Sequence, residues 1–147
     1  VGPGQNTLTT AMPLGGPLEV EVTVETQNGS ARQSMLTEIA PTEPQMLFYE
    51  DNPLHGLAHN ALPQEFTLVQ DEISLRAEPY FVSRDIFTNA KYDWTIGGAA
   101  VQNPNASPET LTLRKTGGKG SSRVEFSIRN LSSLLQAASS AFTVYFE

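Results

Sequence analysis

The chain has 147 residues and a formal net charge of -7. Such an acidic chain is a poor partner for phosphate backbones, which excludes nucleic-acid binding as a working hypothesis. It contains no cysteine, which excludes disulfide scaffolds and thiolate metal clusters. No apolar run approaches the ~20 residues of a membrane helix, so the sequence predicts no membrane span.

Most segments alternate apolar and polar residues with period two, the pattern of a half-buried β-strand. The first such run is Leu18–Glu25. It predicts a strand whose core face is formed by Val20, Val22 and Val24. The Asn-Gly pair at 28–29 then predicts a tight turn.

The remaining strands are expected between clusters of Gly, Pro, Asn and Asp. They are Met46–Glu50, Glu65–Val69, Glu72–Pro79, Lys91–Ile96, Glu109–Arg114, Arg123–Arg129 and Ala141–Phe146. The alternation predicts core positions for Trp94, Val124, Phe126 and Ile128. Only residues 131–138 have a helical pattern, about two turns long, and we expect them to cross between strands.

An internal repeat suggests the domain organisation. Residues 6–9 resemble 109–112, and residues 19–24 resemble 123–128. A spacing of roughly 100 residues is the length of one immunoglobulin-type sandwich. The alternative is that two alternating strands look alike by chance.

The predicted fold class is therefore all-β, an immunoglobulin-like antiparallel β-sandwich preceded by the C-terminal strands of another repeat. Residues 1–40 are expected to be the last three strands of the preceding repeat with a Pro-rich linker. Residues 41–147 are expected to form the complete sandwich. The opening 1–4 is typical of the interior of a longer protein.

A signature around the only tryptophan extends this interpretation. The run 92–97, Tyr-Asp-Trp-Thr-Ile-Gly, resembles the Tyr-x-Trp-x-x-Gly signature of PKD repeats in bacterial surface proteins. The segments 48–54 and 79–81 resemble envelope proteins of candidate-phylum bacteria with small genomes. PKD repeats continue with Gly-Asp-Gly, whereas residues 97–100 of this chain are Gly-Gly-Ala-Ala. The resemblance implies an extracellular, cell-surface or periplasmic tandem repeat, and it carries over no catalytic residue.

Two groups of residues suggest metal binding. His55 and His59 are four apart, a spacing that on a helix directs both at one metal, but Pro53 and Gly56 favour a polar loop. Acid-rich loops can hold calcium through carboxylate oxygens. The weak calcium candidates are Asp51, Asp71, Glu72, Asp85 and Asp93. Because no D-x-D-x-D run is present, the sequence predicts no metal site.

Three further patterns suggest chemistry or ligand binding. The acid pairs at 50–51 and 71–72 fail as glycosidase carboxylates, because neighbours on a strand point to opposite faces. The glycine-rich run 117–121 precedes a strand, whereas a phosphate loop precedes a helix. Exposed aromatic residues could form a sugar-stacking platform. Those considered are Tyr80, Phe81, Phe87, Tyr92 and Tyr145.

The sequence thus predicts no enzyme, no catalytic residue and no cofactor. It favours an extracytoplasmic structural or adhesive module, a spacer or assembly part of a surface protein or filament. Association by β-strand addition is one variant. Its expected partners are neighbouring repeats or copies of the same chain, with a glycan or protein as a further ligand. The alternatives are a carbohydrate-binding module and an accessory domain of a secreted enzyme.

Overall fold

The computed structural model describes residues 6–10, 16–102, 107–132 and 136–147, and its elements are almost all β-strands. The chain divides into two compact units, Val1–Glu43 and Pro44–Glu147. No helix within the described ranges has the length and apolar character needed to cross a bilayer.

The first unit is a β-hairpin. Strand β1 (Leu18–Glu25) pairs antiparallel with β2 (Arg32–Ile39). Gly29 has a φ of 68°, a conformation that favours glycine, and the Asn-Gly turn therefore forms where the sequence predicts it. Residues 6–10 contain no strand. Of the three strands expected in residues 1–40, the described residues contain two, β1 and β2.

The described residues of the second unit form nine strands and one 3-10 turn (Arg84–Phe87). The strands are β3 (Gln45–Asn52), β4 (Gly56–Leu57), β5 (Glu65–Leu68), β6 (Glu72–Tyr80), β7 (Ala90–Ile96), β8 (Ala99–Ala100), β9 (Thr110–Arg114), β10 (Gly120–Asn130) and β11 (Ala137–Phe146). They form a four-stranded sheet in the order β4-β3-β6-β9 and a five-stranded sheet in the order β5-β11-β10-β7-β8. All pairs are antiparallel except β5 with β11. The prediction of an all-β sandwich is confirmed.

The stretch with the helical pattern, 131–138, joins β10 to β11. Its last two residues, Ala137 and Ala138, already belong to β11, and residues 133–135 lie outside the described residues. The turn between β7 and β8 has two residues, Gly97 and Gly98, with φ values of 58° and 81°. Two successive positive φ values define the tight hairpin turn that matches strand twist, which explains the Gly-Gly pair here.

The buried core lies between the two sheets of the second unit. Period-two alternation places Leu75 and Ala77 of β6 opposite Val124, Phe126 and Ile128 of β10, all at most 1% exposed. Trp94 is buried beside them, with its ring centroid 4.5 Å from that of Phe126. Its indole Nε1 donates a hydrogen bond to the Pro108 carbonyl oxygen at 3.0 Å. This aromatic centre joins the two layers.

Candidate functional site

The β1–β2 hairpin has two unlike faces. Directly opposed residues of an antiparallel pair lie on the same face, and the register pairs Val22 with Met35 and Leu18 with Ile39. One face, the apolar face, carries Leu18, Val20, Val22, Val24, Met35 and Ile39, together with the polar residues Gln33 and Thr37. The other, the acidic face, carries Glu19, Glu21, Glu25 and Glu38, with Leu36 as its one large apolar residue.

The apolar face of the hairpin is open to solvent. Val24 and Met35 are each 67% exposed, and Val22 is 52% exposed, while Val20 is half-buried. The prediction that Val22 and Val24 are core residues is therefore wrong for this unit. Alternation does place them on one face, but two strands form a single layer, and burial requires a second layer.

Within the part of the chain that the structure describes, both outer edges of the hairpin are also unpaired, because β1 and β2 form a sheet of two strands. The N–H of Thr26 donates to the Ala31 carbonyl oxygen at 3.0 Å, which fixes the direction of the groups that follow. Hydrogen-bonding directions alternate along an antiparallel pair. The N–H groups of Glu21 in β1 and Glu38 in β2 consequently point outward, where another strand can accept their hydrogen bonds.

Two of the candidate calcium ligands, Asp51 and Glu72, form ion pairs with arginine side chains. Asp51 Oδ2 accepts hydrogen bonds from Arg76 Nε at 3.1 Å and Nη2 at 2.8 Å. Glu72 Oε2 accepts from Arg114 Nε at 2.9 Å and Nη2 at 2.7 Å. A carboxylate held by two guanidinium N–H groups already has a charge-assisted partner. These side chains therefore tie neighbouring strands together.

The remaining acidic candidates are not brought together either. Asp71 accepts a backbone hydrogen bond from Lys115 at 2.8 Å through its carbonyl oxygen, and Asp85 lies in the 3-10 turn. Asp93 is ion-paired on β7. Among the residues that the structure describes, no three or more His, Cys, Asp or Glu side chains are arranged to hold a metal.

Asp93 predicts a pH dependence of stability. The Lys91 ammonium, 3.0 Å from Oδ1, holds the pKa of Asp93 below its ordinary value, and Arg129, 3.1 Å from Oδ2, adds to this effect. A lowered native-state pKa stabilises the fold above the ordinary carboxyl pKa, and this contribution is lost as the pH falls through the lowered value. Asp93→Asn should therefore show a smaller loss of unfolding free energy than the native chain between about pH 6 and about pH 2.5. Urea titrations at both pH values measure this, and equal losses would contradict it.

The histidines and the glycine-rich run lie in turns. The Asn52 side-chain oxygen accepts a hydrogen bond from the His55 N–H at 3.3 Å, in the turn between β3 and β4, and His59 follows β4 in a bend. No helix places the two imidazoles on one face. The run 117–121 leads into β10, which begins at Gly120, so its glycines form a turn before a strand.

The exposed aromatic residues are spread over the second unit. The hydroxyl of Tyr80 on the four-stranded sheet lies 3.0 Å from that of Tyr49, and Phe81 follows at the strand end. Tyr145 belongs to the five-stranded sheet, where its hydroxyl donates to Glu65 Oε2 at 3.4 Å. Phe87 lies in the 3-10 turn. These rings therefore do not form one stacking platform on a single sheet face.

The chain matches no family model, no curated protein and no solved structure. The hairpin, with an uncovered apolar face and two open edges, is the described feature that most requires a partner.

Proposed function

We propose that the chain is an extracytoplasmic structural or adhesive module built from immunoglobulin-like repeats. In this proposal, strands of a neighbouring repeat or of another copy of the chain complete the β1–β2 hairpin. The single observation that carries it is the exposed apolar face between two unpaired strand edges. An isolated two-stranded hairpin is at best marginally stable in water. Its apolar face and its edges both favour addition of further strands.

The hairpin has a counterpart inside the second unit. In β1–β2 the register opposes Val20 to Thr37 and Thr26 N donates to Ala31 O. In β10–β11 the register opposes Val124 to Phe142, and Asn130 N donates to Gln136 O at 3.0 Å. The two segments aligned by the repeat, 19–24 and 123–128, thus lie in the first strands of two hairpins that share the same pattern of backbone hydrogen bonds. In β10–β11 the apolar face is covered and both edges are paired, which indicates what β1–β2 lacks.

The strand order of the second unit supports the immunoglobulin-like part of the proposal. Immunoglobulin sandwiches place strands A, B and E in one sheet and C, F and G in the other, with a buried tryptophan on strand C. Here β3-β6-β9 are neighbours in one sheet and β7-β10-β11 in the other. Trp94 is on β7. The extracytoplasmic setting rests on the resemblance of residues 92–97 to PKD repeats.

The proposal predicts that the full chain associates with increasing concentration. The test is the molar mass by light scattering across a concentration series. Met35→Asp should weaken association at least about tenfold, because it places a charge where a methionine side chain becomes buried. Leu36→Asp is the matched control. Leu36 is 66% exposed and Met35 is 67% exposed, but Leu36 lies on the acidic face, so its substitution should leave association unchanged.

Proline substitutions distinguish strand addition from packing of faces. Glu21→Pro and Glu38→Pro each remove one outward-pointing N–H group. The hydrogen bonds between β1 and β2 are retained, because these N–H groups take no part in them. The edge that receives the added strand is the one at which proline abolishes association. If Met35→Asp prevents association and neither proline does, the copies pack through their apolar faces and strand addition is wrong. A chain that remains monomeric up to millimolar concentration overturns assembly of copies altogether.

A further inference from the structure

A cavity opens between the two sheets of the second unit, at the end where β6 stops. Its volume is about 260 Å³. Phe87 and Tyr92 border it, and Phe126, which is only 1% exposed, lies behind them at its base. The ring centroids of Tyr92 and Phe126 are 6.2 Å apart and their planes are tilted by 38°. Ala77, Pro79 and Ile128 complete its apolar lining.

One carboxylate faces this cavity. Glu109 precedes β9, and its carbonyl oxygen accepts a hydrogen bond from the Ala77 N–H at 2.9 Å, which extends the β6–β9 pairing by one step. Because side chains alternate along a strand, Glu109 points to the same side as Leu111 and Leu113, both buried between the sheets. Glu109 itself is half-buried. Glu78 also borders the cavity, but it follows inward-facing Ala77 and its charge acts on Tyr49 of the outer surface.

No ion pair among the described residues balances the Glu109 charge. The ion pairs of the described residues involve Asp51, Glu72 and Asp93, and none involves Glu109. Burial raises the pKa of the Tyr92 hydroxyl, and the Glu109 charge raises it further. The cavity is therefore negative as well as aromatic. A half-buried carboxylate beside apolar walls attracts a cation that shares the site.

Rings and a carboxylate around a small space are the arrangement that binds alkylated ammonium groups, because the ring faces attract the cation and the walls contact its carbon atoms. Cavities for drug-sized ligands start at about 300 Å³, so this one suits a head group of a few heavy atoms. We propose that the cavity binds an alkylammonium cation, with the rings of Phe87 and Tyr92 beside its carbon atoms and Glu109 balancing its charge.

The test is an NMR titration of the full chain with choline chloride as the probe. Choline should shift the signals of Phe87, Tyr92 and Glu109. Its neutral isostere, 3,3-dimethylbutan-1-ol, should bind at least about tenfold more weakly, because it has the same shape without the charge. Nα-acetyl-lysine amide is a third probe. If it binds as well as choline, the cation can be a lysine side chain of a partner, and if it does not, the site is specific for quaternary head groups.

Glu109→Gln keeps the shape of the side chain and removes its charge, and it should weaken choline binding about tenfold. Glu78→Gln is the matched control and should change binding little, since that carboxylate faces the outer surface. The thermal unfolding midpoints of both variants show whether the fold is intact. The proposal is overturned if choline and its neutral isostere bind equally, if Glu109→Gln leaves binding unchanged in a folded chain, or if tens of millimolar choline shift no cavity signal.

Discussion

Phe126→Ala is expected to lower the free energy of unfolding of the second unit by about 3–5 kcal/mol. Phe126 is 1% exposed and lies between the rings of Trp94 and Tyr92, at centroid distances of 4.5 Å and 6.2 Å. Truncation removes its buried area and leaves a cavity where two sheets meet, and strands fixed by their hydrogen bonds cannot collapse into that space. Domains of this size are typically stable by about 5–15 kcal/mol, so the effect is a large share of the total.

Urea unfolding followed by the emission of Trp94, the only tryptophan in the chain, measures this loss. Phe81→Ala is the matched control, because Phe81 is 61% exposed and its truncation should change stability by about 0.5 kcal/mol or less. Phe126→Leu, which keeps most of the volume, should cost about 1.5 kcal/mol or less. Equal losses for the alanine variants of Phe126 and Phe81 would contradict the placement of Phe126 at the centre of the core.

The fold class could be predicted from the sequence because a half-buried strand alternates apolar and polar residues, and this period of two is visible in the sequence. The run Leu18–Glu25 alternates without interruption, and β1 has those bounds in the structure. The limits of strand β2 could not be predicted from the sequence. Met35 and Leu36 are adjacent apolar residues, and the alternation of apolar and polar residues fails there. Strands β4 and β8 contain two residues each, which is too few to show an alternation of apolar and polar residues.

Alternation of apolar and polar residues alone does not predict whether a second layer buries the apolar face of a strand. Val22 and Phe126 occupy equivalent places in similar strands, yet Val22 is 52% exposed and Phe126 is only 1% exposed. The difference lies in the strands that surround β10 and are missing around β1. Alternation reports which residues share a side of a strand, and only the tertiary arrangement decides whether a second layer lies against that side.

The cavity carboxylate was also missed by sequence reasoning. Glu109 shares the parity of Leu111 and Leu113, and this signal could have placed it on the inward side. The sequence shows it only as the first residue of the predicted strand Glu109–Arg114. Phe87 enters the cavity from a 3-10 turn, and Tyr92 from another sheet. Such a site forms only where elements far apart in the chain come close together in the fold. Local sequence patterns carry no information on these distances.

Asn130→Asp is expected to destabilise the second unit by about 2–4 kcal/mol at neutral pH. Asn130 is 6% exposed. Its Nδ2 donates to the Asp85 carbonyl oxygen at 2.7 Å and to Gln136 Oε1 at 2.9 Å, and its Oδ1 accepts from Ser132 N at 2.8 Å. The side chain thus links the 3-10 turn to both ends of the β10–β11 connection. A carboxylate of the same shape has no hydrogen to donate, so it would face two acceptor oxygens in a poorly hydrated site.

The variant should also acquire a pH dependence of stability in addition to the one that Asp93 gives the native chain. The introduced carboxyl is more stable protonated in the fold, so its native-state pKa lies above its unfolded value. Its destabilising effect is therefore smallest at low pH and grows as the pH rises through the native-state pKa. Asn89→Asp is the control, because Asn89 is exposed and donates a single bond, to Ser132 Oγ at 3.1 Å. Urea titrations from about pH 3 to about pH 8 should separate the two variants. A small, pH-independent loss for Asn130→Asp would mean that the connection rearranges and that Asn130 is not its fixed centre.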